Sequence, residues 1–204
     1  MADPKTAQDV ASDLLDRHKR TFAAEASIRL RDRPKPLYQL LVLTTLSATR
    51  ISADIAVAAA RELFRAGLLT PQRMLASSWQ HRVDALGRAH YKRYDESTAT
   101  KLAESAQYLQ DEYSGDLRAL RPDSADDVAG VVDALTGFPR IGPTGADIFC
   151  REAQQVWPAL SPYFDKRALR RAGKLGLPTE PRRLAKLAPD GDVALLAAAL
   201  ARDA

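Results

Sequence analysis

Two stretches of this chain hold residue types at spacings that could do chemistry. The first reads "ALTGFPRIGPTGADIFC". Helical spacing runs into it and out of it, and residues 137–145 between hold three glycines and two prolines. Gly142 is free to take a positive φ, and Pro143 suits the first position of a helix, where its missing N–H costs nothing. The N–H groups of Thr144, Gly145 and Ala146 would then point out of a helix N-terminus, which makes a phosphate site. The same residues would serve equally as a plain turn between two helices. The second stretch is "DKRALRRAGK", Asp165 to Lys174, with five basic residues and one acid. As a helix it places Lys166, Arg170 and Lys174 on one stripe, with Arg167 and Arg171 beside it and Asp165 as the N-cap. Such a stripe is either a solvated face or a surface for an anionic partner.

The elements that must position these stretches are helical. In 124–136 the apolar residues Val128, Val131, Val132 and Leu135 follow the i, i+3, i+4, i+7 spacing, and Ser124 with Asp127 forms an N-cap arrangement. Beyond the break, Ala146, Phe149, Cys150 and Ala153 repeat that spacing, and 95–111 carries Ala99, Leu102, Ala103, Ala106 and Leu109 on one face. Ser52 and Thr70-Pro71 read as helix starts, and Gly67 and Gly87 as stops. Residues 37–46 are apolar almost all round, which predicts a central buried helix. A helix is expected within 6–20, a connector at 29–36 whose prolines end one unit before the buried helix starts, and a non-helical stretch at 156–164. No period-2 run and no repeat is found, so the fold class is all-α with about ten helices and short connections.

Composition narrows the function. The chain has 204 residues, 46% of them hydrophobic, enough for one large helical domain or two small ones sharing a cleft. No apolar run reaches the roughly 20 residues that span a bilayer, and the first residues lack the apolar stretch of a signal peptide, so no membrane role and a cytoplasmic setting are expected. The single cysteine, Cys150, excludes an internal disulfide and any four-cysteine metal or iron–sulfur site. His18, His81 and His90 have no metal-ligand spacing, and no nucleotide-binding glycine motif occurs, so neither a metal, a nucleotide nor any other cofactor is expected. A formal net charge of +4 permits nucleic-acid binding without demanding it.

Four blocks in order carry a resemblance. "ALTGFPRIGPTGADIF" resembles the helix–hairpin–helix of the endonuclease III-like DNA glycosylases, whose hairpin reads roughly L-P-G-V-G-R-K-T-A. "KPLYQLLVLTTLSATRIS" at 35–52 is similar to that family's buried helix and its leucine–serine–alanine–glutamine ending. "DALGRAHYKR" at 84–93 stands where the family has a glycine followed by an aromatic and a basic residue. "PYFDKRALRRA" at 162–172 looks like its catalytic-aspartate segment. The match spans roughly residues 35–174. It implies two helical subdomains flanking a DNA cleft: 33–156 as a six-helix domain ending in the helix–hairpin–helix, and 1–32 with 157–204 as a second domain built from both termini.

The resemblance also implies roles. Asp165 would be the catalytic carboxylate, stabilising positive charge on a sugar or activating water as an N-glycosidic bond breaks. Arg140, Ile141, Gly142, Thr144 and Gly145 of the hairpin, with Lys166, Arg167, Arg170 and Arg171, would bind DNA. Thr49 stands where many members place a glutamine that fills the gap left by a flipped base, and Arg50 beside it is a substitute wedge. Tyr91 and Phe164 would line the base pocket. The partner implied is double-stranded, damaged DNA, bound by a monomer.

Three departures qualify these roles. Thr144 replaces the lysine whose amine forms a Schiff base, and a hydroxyl cannot form an imine, so no lyase step is expected. Residues 175–204 contain no cysteine, so an apolar stripe of Leu184, Leu187, Val193, Leu195, Leu196 and Leu200 must replace the family's iron–sulfur loop. Arg140 replaces the first hairpin glycine, where its side chain either crowds a phosphate or binds it. The expected function is a monofunctional DNA N-glycosylase. Two readings stand beside it: a helix–hairpin–helix protein that recognises lesions or DNA structure without catalysis, and a helical protein whose hairpin is only a corner.

Overall fold

The computed structural model describes residues 5–202. Among them the backbone forms twelve α-helices and four short 3-10 turns, with no strand, so the protein is all-α. The helices are α1 (Ala7–Arg17), α2 (Phe22–Glu25), α3 (Pro34–Ser47), α4 (Ala53–Arg65), α5 (Pro71–Ala76), α6 (Trp79–Arg88), α7 (Asp95–Tyr113), α8 (Val128–Thr136), α9 (Pro143–Ala153), α10 (Lys166–Lys174), α11 (Pro181–Ala185) and α12 (Val193–Arg202). None of them is long and apolar enough to cross a membrane.

Side-chain caps set most of the starts. Thr6 and Asp9 close a capping box on α1, and Ser52, Thr70 and Ser78 each accept the N–H three residues on at the heads of α4, α5 and α6. Ser124 and Asp127 form their expected box, but it opens a 3-10 turn, Ala125–Asp127, that leads into α8. Two boundaries differ from expectation. Pro34 and Pro36 do not end a preceding unit; they form the first turn of α3, where a missing N–H is harmless. Gly87 lies inside α6, and the left-handed residue that ends that segment is His90, whereas Gly67 does take a positive φ after α4.

α3 is the axis of the fold. Its residues 37–46 are all buried, and it packs against α4 on one side and α9 on another. α6 bridges α4 and α7, α5 lies on α7, and α8 lies on α9. At the other end of the molecule α12 packs against α1, α10 and α9, so segments from both ends of the chain meet. Leu184, Leu196 and Leu200 are fully buried there, with Leu187, Val193 and Leu195 partly buried against the same core. That apolar packing holds α10 to the rest of the chain without any cysteine ligand.

Candidate nucleic-acid interface

The link between α8 and α9 is a tight turn in which Ile141 N–H donates to the Phe138 carbonyl at 3.0 Å. Phe138 anchors it: the ring is buried edge-on to Tyr108, 4.8 Å away, and stacked on Tyr113 at 5.8 Å. Ile141 is buried as well, so its side chain serves the core and only its backbone is at the surface. Gly145 is buried where α9 approaches the end of α3; a Cβ there would meet Ile141 Cγ2 at 3.0 Å and Ala48 Cβ at 3.4 Å. Its place in the hairpin is thus explained by close packing.

The positive φ expected at Gly142 falls instead on Arg140, at +68°, the third position of a Phe138–Ile141 turn with Pro139 second, which glycine usually fills. Gly142 itself is extended, with φ −91°, and a Cβ on it would meet nothing within 4 Å. Neither backbone conformation nor internal packing therefore requires a glycine there. The N–H groups expected to point outward reduce to two: Ala146 donates to the Gly142 carbonyl, while those of Thr144 and Gly145 have no acceptor among the described residues. The Arg140 guanidinium folds back over Tyr94, 5.6 Å from the ring centroid, and donates to Ser97 Oγ at 3.1 Å.

Beside this helix start lies a cleft of about 480 Å³, walled by the α3–α4 turn, α9, the start of α10 and the end of α12. Arg50, Lys166, Arg167 and Arg170 are exposed on its lining, with Thr49 and Thr144 between them. The structure thus brings together six of the residues singled out from the sequence, plus Asp165. It does not bring in the others. Arg171 is half-buried outside the lining. Tyr91 is fully buried, and its hydroxyl meets Thr49 Oγ1 at 2.9 Å and the Leu46 carbonyl at 3.3 Å; it props the α3–α4 turn from beneath and is not a pocket wall. Phe164 is likewise buried in the core and absent from the lining. The apolar walls are Phe22, Ile51 and Ile148.

Asp165 lies at the cleft, but both of its oxygens are engaged. Oδ1 accepts the Ala168 N–H at 2.7 Å, capping α10, and Oδ2 is paired with the Arg151 guanidinium. Only 6% of the residue is exposed. Arg151 also has Glu152 Oε1 3.6 Å from its Nε and lies 5.0 Å from the Phe22 ring centroid, which Arg202 approaches at 4.3 Å from its own position. Arg202 is held in turn by Glu25 and by Asp54, the latter at 2.9 Å. A second carboxylate, Asp147, stands on the lining one turn into α9 and accepts the Tyr163 hydroxyl at 2.5 Å. Burial and that bond push the Tyr163 phenol well above its ordinary range, so it stays a donor.

Asp147, Ile148 and Arg151 were missed in the sequence, yet a signal for them existed. With Thr144 they fall at i, i+3, i+4 and i+7, the face of α9 opposite its apolar stripe. Nothing local marked Phe22 or Arg202, which reach the cleft from segments far away in the chain.

Comparison with known proteins places this geometry in a fold. The structure of a non-covalent endonuclease III–DNA complex superposes with a TM-score of 0.57 at 16% identity, over 97% of this chain and 85% of that one. A trapped endonuclease III–DNA covalent intermediate, an estranged-adenine complex, superposes with a TM-score of 0.54 at 14% identity, over the same shares. No protein-family model matches the sequence, and no curated protein does. The chain has an endonuclease III-like, all-α fold.

Proposed function

We propose that this protein binds duplex DNA as a base-excision-repair type protein and acts as a monofunctional N-glycosylase, releasing an altered base without cutting the strand. The observation that carries this reading is the content of one cleft. Exposed cations and the unpartnered Thr144 N–H rim it, and two carboxylates stand in its walls. Cations and helix N-termini hold a phosphate backbone, while carboxylates inside serve a sugar that gains positive charge. A volume of about 480 Å³ is of the size that takes small ligands and suits one nucleotide turned out of the stack. Two solved structures of like fold are endonuclease III bound to DNA, which supports the same partner for this chain.

The ion pair between Arg151 and Asp165 favours a second reading, in which the chain recognises damaged or distorted DNA without catalysis, since the expected catalytic carboxylate is already neutralised. One experiment separates the two. Affinity for duplex DNA is measured across a salt series, and base release is measured on a panel of damaged duplexes with and without alkali. The glycosylase reading expects binding that falls steeply with salt, and breaks that appear only after alkali. Binding without base release on any duplex leaves the recognition reading; no salt-dependent binding removes both.

A further inference from the structure

The two carboxylates of the cleft are in opposite states. Asp165 is buried, and each of its oxygens is taken, one by the α10 backbone and one by Arg151. Asp147 is half-buried on the cleft face of α9; Oδ1 accepts the Tyr163 hydroxyl, and Oδ2 has no hydrogen bond or ion pair to any described residue. It lies one turn beyond the exposed Thr144 and the two free N–H groups of the helix start.

The partner of Asp147 is itself fixed. Gln154, 5% exposed, clamps the Tyr163 backbone from both sides: its amide nitrogen donates to the Tyr163 carbonyl at 2.8 Å, and its oxygen accepts the Tyr163 N–H at 2.9 Å. The same amide nitrogen donates to the Arg151 carbonyl at 2.9 Å, tying the loop before α10 to the end of α9. A carboxylate with one oxygen oriented by a clamped donor and the other open to the cleft is arranged as a base. A carboxylate salt-bridged and capping a helix is arranged as a support.

We propose that Asp147 is the catalytic carboxylate of this cleft, that Tyr163 is its positioning residue, and that Asp165 holds the wall in place. This rests on the glycosylase reading above. Asp147 Oδ2 accepts a proton from a water molecule whose oxygen bonds to C1′ of the extruded nucleotide. The C1′–N bond breaks, and its electron pair leaves with the base. The base takes up the proton through solvent, so nucleotide and water become an abasic sugar and a free base, and Asp147 is again ionised. Tyr163 donates to Oδ1 and keeps the carboxylate aimed.

The test is single-turnover base release by the full chain on the duplex that it processes best, with DNA affinity and circular dichroism measured on the same variants. Asp147→Asn is expected to slow release by about 10²–10³-fold while folding and affinity hold. Tyr163→Phe is expected to slow it by about tenfold at unchanged DNA affinity and to add no further loss to Asp147→Asn, because the hydroxyl acts only through that carboxylate. A merely structural tyrosine would slow the Asp147→Asn variant by the same factor as the parent. A folded Asp147→Asn variant that releases base as fast as the parent overturns the assignment while the glycosylase reading stands. A parent that binds DNA but releases no base from any duplex overturns that reading and the assignment with it.

Discussion

Arg151 and Asp165 form a buried ion pair at the wall of the cleft, their side chains 5% and 6% exposed. One guanidinium there faces two carboxylates, since Glu152 Oε1 lies 3.6 Å from its Nε. Removing the cation leaves two acids together out of water. Arg151→Met is therefore expected to cost about 3–5 kcal/mol in urea unfolding. Asp165→Asn keeps the helix cap and leaves Arg151 beside Glu152, so its expected cost is smaller, about 1.5–3 kcal/mol, yet more than a cap exchange alone. A loss for Asp165→Asn below about 0.5 kcal/mol, the scatter of surface substitutions, would mean that the pair does not persist in solution.

The contrast between Asp165 and its partner marks how far a sequence can be read. Helix spacing was plain for α7, α8 and α9 because each has one apolar stripe, and residues 37–46 announced a buried α3 by lacking a polar face. The hairpin and the cap at Asp165 were also legible, being local. What Asp165 touches was not: Arg151 is fourteen residues away and comes into reach only because α9 and α10 both pack on α12. Tyr91 and Phe164 were misread for the same reason. An aromatic near a motif can face a cleft or the core, and only packing decides which.

Gly142 has open space where a side chain would be and an ordinary extended backbone. Gly142→Val is thus expected to leave thermal stability within about 0.5 kcal/mol of the parent. If a phosphate approaches the Thr144 and Gly145 N–H groups, the added side chain blocks it. Affinity should then fall about equally for every duplex sequence, with a smaller salt slope. Titration of several unrelated duplexes at two salt concentrations checks this; a loss confined to one lesion or sequence would speak against a backbone contact.

Arg140 is held at a φ of +68° by the turn that it completes. For a residue with a Cβ that conformation costs about 1–2 kcal/mol. Arg140→Ala keeps the strain and loses the contacts to Tyr94 and Ser97. Arg140→Gly loses the same contacts and the strain too, though glycine has more freedom to lose on folding. The glycine variant is expected to be the more stable of the two by about 0.5–1 kcal/mol in parallel urea melts. An alanine variant equal to it would mean that the turn relaxes out of the left-handed region.

Burial pushes the Glu152 carboxyl above its ordinary value, against the pull of Arg151 and the Ala23 N–H, which Oε2 accepts at 2.8 Å. An acid that holds its proton more tightly when folded makes the folded state bind more protons than the unfolded one. Stability then falls as pH rises through the window above the ordinary glutamate value of 4.5, and this group contributes no slope below it. Glu152→Gln should flatten that decline. Urea midpoints taken from about pH 4 to pH 8 for both proteins measure it, and parallel curves would remove Glu152 as the cause.

Thr144 is exposed at the second position of α9 and borders the cleft. Its hydroxyl cannot condense with an opened abasic sugar, so incubation with an abasic duplex and borohydride is expected to yield no covalent adduct. Thr144→Lys puts an amine on a flexible stem at that place and should give trapped product, with strand cleavage that no longer needs alkali. Lys166 is the competing amine, exposed on the same cleft at the head of α10. Adduct formation by the parent would therefore be tested with Lys166→Gln. Loss of the adduct in that variant would assign a lyase step to Lys166 and overturn the expectation drawn from Thr144.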